Sequence, residues 1–141
     1  MKTYEIRTHK SSEHLPPSEQ LAGRLADLAA DTTRPLDEAA VDMVINRVID
    51  NAAVAVASLG RAPVVAARGQ AVRELDYHDT FLAADYSHPG DNIPPILAVA
   101  QHTGADGAAL LRGILTGYQI QIDLVRAICL HEHKIDHVAH L

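Results

Sequence analysis

DGAALLRGILTGYQIQIDLVRAICL, Asp106 to Leu130, decides the fold class. Leu111, Ile114, Leu115, Tyr118, Ile122, Val125 and Cys129 recur at steps of three and four residues. That spacing places them on one face of an α-helix over 107–130, with Asp106 standing where an N-cap belongs. Gly113 and Gly117 sit beside the stripe. Each costs about 1 kcal/mol relative to alanine in a helix interior, and close approach of a neighbouring helix is the expected offset.

The same reading extends upstream. Pro94-Pro95 opens a helix that ends near Gly104. Asp37 to Ser58 is the clearest helix before it, with Val41, Val44, Ile45, Val48, Ile49, Ala52 and Val56 as its apolar face. Gly60 offers a stop, and Pro63 suits the first turn of a short helix over 64–70. Pro16-Pro17-Ser18 signals a start, with Ser18 able to cap a helix over 18–30 whose face is Leu21, Leu25 and Leu28. Residues 1–15 read as a mobile leader. The pattern is all-α over 16–141, with no internal repeat.

Composition agrees and narrows the function. Of 141 residues 48% are apolar and 21% charged, as in a folded globular protein. Aromatics make up only 4%, with no Trp, so the core must come from small and branched aliphatic side chains. A net charge of −6 argues against a nucleic-acid partner. The single cysteine, Cys129, can form no internal disulfide and cannot hold an iron–sulfur cluster. No apolar run reaches about 18 residues, so no membrane span is expected. Without an apolar signal region at the start, the chain reads as cytoplasmic.

Two polar clusters interrupt the helices. Residues 76–92, DYHDTFLAADYSHPGDN, hold four aspartates, two histidines, two tyrosines, a threonine and a serine. Acids, imidazoles and hydroxyls mixed with Phe81, Leu82 and Pro89 suit a pocket where protons move; a capped, turn-rich surface loop is equally compatible. The second cluster is His131, Glu132, His133, His137 and His140, with Lys134 and Asp136 between them. His133 and His137 stand four apart, the spacing of a two-histidine metal site. The group could equally be an acid/base element, since histidine titrates near neutrality, or a polar tail favoured by the helix dipole.

Taken together and in order, these segments resemble the MmgE/PrpD family. The residues that carry the likeness are VRELDYHDTFLAADYSHPGDNIPPILAVAQ, Val72–Gln101, and GYQIQIDLVRAICLHEHKIDHVAHL, Gly117–Leu141. VDMVINRVIDNAAVAVASLGRAPVVAARGQA, Val41–Ala71, resembles the family's first long helices. The resemblance implies a large all-helical domain followed by an α+β lid, homodimers, and no metal or other cofactor. It implies elimination of water or carbon dioxide from tricarboxylate-like acids, and for the dehydratase branch a place in propionate breakdown. It carries Asp76, His88 and His133 over as catalytic residues, with His131 or His137 as alternative counterparts of His133. Thr80 matches the threonine of the family's LDFDDT-like motif. Arg73 and Lys134 are the nearby cations that could hold substrate carboxylates.

Two departures from the family accompany it. The lid has no counterpart up to Leu141, and relatives carry a few dozen residues where Gln70-Ala71 runs directly into Val72-Arg73. The expectation is a partial helical domain with an internal gap near 71–72, and weak or no activity by itself. The competing expectation, from a different class, is a non-catalytic helical module whose histidines bind zinc. Helices lacking their packing partners would also expose apolar faces and favour self-association.

Overall fold

The computed structural model describes residues 10, 12–62, 75, 77 and 79–134. It divides into two units, Met1–Arg34 and Pro35–Leu141.

In the first unit a 3-10 turn, Pro17–Glu19, leads into helix α1, Leu21–Ala30. Ser18 is not its cap: it lies inside the 3-10 turn, and Gln20 occupies the N-cap position without a side-chain cap bond. Gln20 instead reaches back, its Nε2 donating to the Leu15 carbonyl at 2.8 Å. Proline at the front of the turn makes the chain bend before the helix begins, which shifts the start by three residues. No residue of α1 is buried.

The second unit holds the longer helices. Helix α2 spans Glu38–Ser58, and Asp37 caps it by accepting from the Ala40 N–H at 2.9 Å. Strands β1, Phe81–Leu82, and β2, Tyr86–Ser87, pair antiparallel with Phe81 opposite Ser87. A 3-10 turn over Pro89–Asn92 runs into helix α3, Ile93–Thr103. Gly104 ends α3 in the left-handed region, at φ 66°, where glycine carries no Cβ penalty. Helix α4 spans Gly107–Ala127, with Asp106 accepting from the Ala109 N–H at 2.8 Å. The short helix expected over 64–70 and the gap near 71–72 lie outside the described residues.

The core of this unit is Val44 of α2, Ile93 of α3, and Ile114 and Tyr118 of α4. Leu111, Leu115 and Ile122 pack against it from the partly buried flank of the stripe expected on α4. The two helix-interior glycines meet the neighbour they require. A Cβ at Gly113 would lie 3.1 Å from Ile96 Cγ2, and one at Gly117 3.1 Å from Ile96 Cδ1. Gly117→Val should therefore lower stability by about 1–3 kcal/mol, because its extra methyls meet Ile96 and Asn92. Gly113→Ala should be near neutral, since its better helix propensity offsets the crowding. Urea midpoints of the two variants check the pair.

Helix α2 differs from its sequence reading. Its buried residues are Val44, Asn51, Val54 and Ser58. Ile45, Ile49 and Val56 are 44%, 62% and 68% exposed. At 3.6 residues per turn this exposed apolar strip lies roughly two-fifths of a turn round from the buried one. The apolar arc of α2 is wider than the surface α4 and the 89–92 turn cover, and those neighbours meet the edge that carries two polar residues. Helix α4 also stops three residues early. Ile128 is extended because the chain beyond it is drawn to Asp85.

Candidate active site

The polar stretch is a folded clasp rather than a loose loop. Asp79 Oδ1 accepts from the Gly90 N–H at 2.9 Å, which joins the two ends of the β1–β2 hairpin. The backbone carbonyl of Asp79 lies 3.1 Å from His88 Nδ1. A carbonyl can only accept, so Nδ1 carries the proton and the neutral ring keeps its lone pair on Nε2. Thr80 Oγ1 lies 3.4 Å from the same nitrogen.

Beneath the clasp the interior is polar. Gly90 is buried against Asn51 of α2, and Asn51 Nδ2 donates to the Arg47 carbonyl at 2.9 Å. Asn92 Nδ2 donates to the Pro89 carbonyl at 3.1 Å and to Gln121 Oε1 of α4. The Tyr118 hydroxyl faces this region. Burial pushes its titration far up, and the negative charge of Asp79 pushes the same way. The phenol is therefore a proton-bearing group at any working pH.

A second knot sits at the other end of the hairpin. Asp85 is 7% exposed. Its Oδ1 accepts from the Tyr86 N–H at 2.8 Å and from the His131 ring at 2.7 Å. Its Oδ2 accepts from the Leu130 N–H at 2.8 Å and from the His131 N–H at 3.4 Å. The Tyr86 and His131 rings stack at 5.4 Å, inclined by 29°. Burial by itself would raise the carboxyl's titration, but the donors from Tyr86, Leu130 and His131 outweigh it and hold it below its ordinary value of 3.8. A depressed folded value means stability is present above the unfolded pKa and lost as pH falls through the folded one. Unfolding midpoints followed by circular dichroism should thus drop below about pH 3.8, and Asp85→Asn should flatten that part of the curve.

The expected site residues divide three ways. His88 and Thr80 are brought together on the clasp. His133 lies on the 3-10 turn His131–His133, and Lys134, exposed and at φ 57°, closes that turn. Asp76, Arg73, His137 and His140 lie outside the described residues. Sequence reasoning assigned no site role to Asp79, Asp85 or Asn51, and placed Tyr118 only on the buried face of α4. The usable signal for Asp85 was an acid set between two alanines and an aromatic, Ala83-Ala84-Asp85-Tyr86, where a solvated loop has no need of the apolar neighbours.

An apolar hollow lies elsewhere. It measures about 370 Å³ between α3 and α4, walled by Ile96, Val99, Ala100, Leu110 and Gly113 among others. No cation stands among the described residues of its wall. A cavity of about 60 Å³ lies beside Asp85, against Leu124, Val125 and Leu130. Among the described residues no helix is long and apolar enough to cross a membrane.

Helices carrying an acid- and imidazole-rich clasp define a mostly all-α protein. The chain belongs to the MmgE/PrpD family: the MmgE/PrpD N-terminal domain matches residues 65–141. It is 39% identical over 59 residues to the 2-methylcitrate dehydratase of Salmonella typhimurium, across 42% of this chain and 12% of the relative. It is 56% identical over 34 residues to a probable 2-methylcitrate dehydratase of Saccharomyces cerevisiae, across 24% and 7%. It is 33% identical over 81 residues to the mitochondrial 2-methylcitrate dehydratase of Yarrowia lipolytica, across 50% and 16%. The chain thus matches a small part of these relatives' length. No solved structure matches it.

Proposed function

We propose that this chain carries acid/base groups of a 2-methylcitrate dehydratase, a hydro-lyase that forms 2-methyl-cis-aconitate. The observation that supports the reading is the clasp. It holds His88 with Nδ1 on the Asp79 carbonyl, within residues 65–141, which match the MmgE/PrpD N-terminal domain. Dehydration of a 3-hydroxy acid needs a base for the proton beside a carboxylate and an acid for the departing hydroxyl. An imidazole with a fixed tautomer serves either step once Nε2 faces the substrate. Asp76 and His133 are proposed to share the work, and Thr80, Arg73 and Lys134 to hold the substrate. Action without a metal or other cofactor is part of the same proposal.

The isolated chain is expected to turn over slowly at best. A tricarboxylate needs several cations, and this chain carries a net charge of −6. A misplacement of about 1 Å already costs about 10²-fold. Absorbance of the conjugated product, followed on 2-methylcitrate, measures this. The decisive version is a full-length relative carrying residues 65–141 of this chain in place of its own matched stretch. Product formation by that chimera supports the reading. A chimera with native circular dichroism and melting but no turnover overturns it.

A further inference from the structure

We infer that Tyr118 is a positioning residue: its hydroxyl is the donor that closes on the second oxygen of Asp79 when substrate seats against the clasp. The inference rests on the dehydratase reading above.

Buried polar groups are nearly always paired, so those left over mark a place with another task. Among the described residues, the buried side-chain atoms without a hydrogen-bond partner are Asn51 Oδ1, Ser87 Oγ and the Tyr118 hydroxyl. They come from α2, β2 and α4, yet they gather in one region. Ser87 lies inside the hairpin that the clasp closes. Asn51 packs on Gly90: a Cβ there would lie 2.9 Å from its Nδ2 and 3.3 Å from its Oδ1. Tyr118 follows Gly117, which faces Asn92, and stands within a turn of Gln121, which Asn92 bonds. Packing does not explain its hydroxyl. Tyr118 is 4% exposed, and phenylalanine would fill the same space without an unpaired polar group.

Asp79 supplies what the hydroxyl lacks. Its Oδ1 is taken by the Gly90 N–H, and no described residue donates to its Oδ2. Asp79 is close enough for its charge to oppose ionisation of the phenol, as burial does more strongly. Tyr118 therefore keeps its proton and can donate it, whereas a carboxylate can only accept. The two groups are complementary, near and unjoined. Hydrogen bonds that serve catalysis are often long before substrate binds and tighten with it. Asp79 also accepts from His88 Nδ1 through its backbone carbonyl. A bond from Tyr118 would thus steady, through Asp79, the ring that the dehydratase reading places at proton transfer.

The test is Tyr118→Phe, alone and combined with Asp79→Asn. In the full chain, Tyr118→Phe should keep or raise the melting temperature, because it removes an unpaired buried group. A fall of several degrees would mean that the hydroxyl already holds the fold together, and would overturn the inference. In the chimera, Tyr118→Phe should lower kcat/KM for 2-methylcitrate by about 10–100-fold, the range of a hydrogen bond to a charged group. Asp79→Asn leaves one oxygen for the Gly90 N–H but replaces the other with an amide nitrogen, which cannot accept from the phenol. Adding Tyr118→Phe to it should then cost less than about twofold. Losses that simply multiply in the double variant would show that Tyr118 does not act through Asp79, and would overturn the inference. An active chimera indifferent to Tyr118→Phe would do the same and leave the dehydratase reading standing. A natively folded chimera without turnover removes both.

Discussion

His88→Asn, placed in the chimeric dehydratase, should cut turnover by about 10²–10⁴-fold while the melting temperature moves little. Asparagine is the informative replacement because its amide nitrogen sits near where Nδ1 sits. It can keep the donor to the Asp79 carbonyl, 3.1 Å away in the native chain, and so keep the clasp. What disappears is Nε2 and the proton it exchanges. Removing a hydrogen bond of this kind costs only about 1 kcal/mol of stability. The loss of a proton-transfer group corresponds to roughly 3–5 kcal/mol at the transition state. The two effects are therefore separable by size as well as by assay. If His88 only braced the loop, stability would fall and turnover per folded molecule would not. Asp76→Asn in the same chimera should show the same loss of turnover.

Gly90→Ala should be the most damaging small substitution in the clasp. Gly90 is buried, and a Cβ there would come within 2.2 Å of Asp79 Oδ1 and 2.9 Å of Asn51 Nδ2. Neither neighbour can yield cheaply. Asp79 Oδ1 is the acceptor for the Gly90 N–H itself, and Asn51 is held to the Arg47 carbonyl of its own helix. Overpacking costs about 1–3 kcal/mol, and the displaced carboxylate loses its bond as well, so a loss of about 3 kcal/mol or more is expected. For a domain of this size that lowers the melting temperature by roughly 10 °C. Gly60→Ala is the control: its Cβ would meet nothing within 4 Å. Equal melting of the two variants would show that the clasp is not packed as described.

Much of the secondary structure could be read from local chemistry. The helices over 38–58, 93–103 and 107–127 follow from apolar spacing, from the carboxylate caps Asp37 and Asp106, and from Gly104. These signals act within one or two turns, so the sequence displays them directly. The α2 face could not be read the same way. Val44, Ile45, Val48 and Ile49 are alike to periodicity, yet only Val44 among them is fully buried. Which part of a wide apolar arc is covered depends on where α4 and the 89–92 turn arrive.

The site shows the same division. The amino-acid sequence by itself determined the helical class, the acid- and imidazole-rich character of 76–92, and the glycines at 113 and 117 as places where a neighbouring helix comes close. The family resemblance singled out Thr80 and His88 separately, and the structure brought them together. Only the tertiary structure decided that Asp79 reaches Gly90, that Asn51 and Tyr118 stand beneath them, and that Asp85 holds His131 across 46 positions of chain. Hydrogen bonds between distant residues leave no periodic trace, since each partner looks like an ordinary polar side chain where it stands. Their cost in chain entropy is met only once the helices have packed, so the fold chooses which imidazole is oriented and which carboxylate orients it.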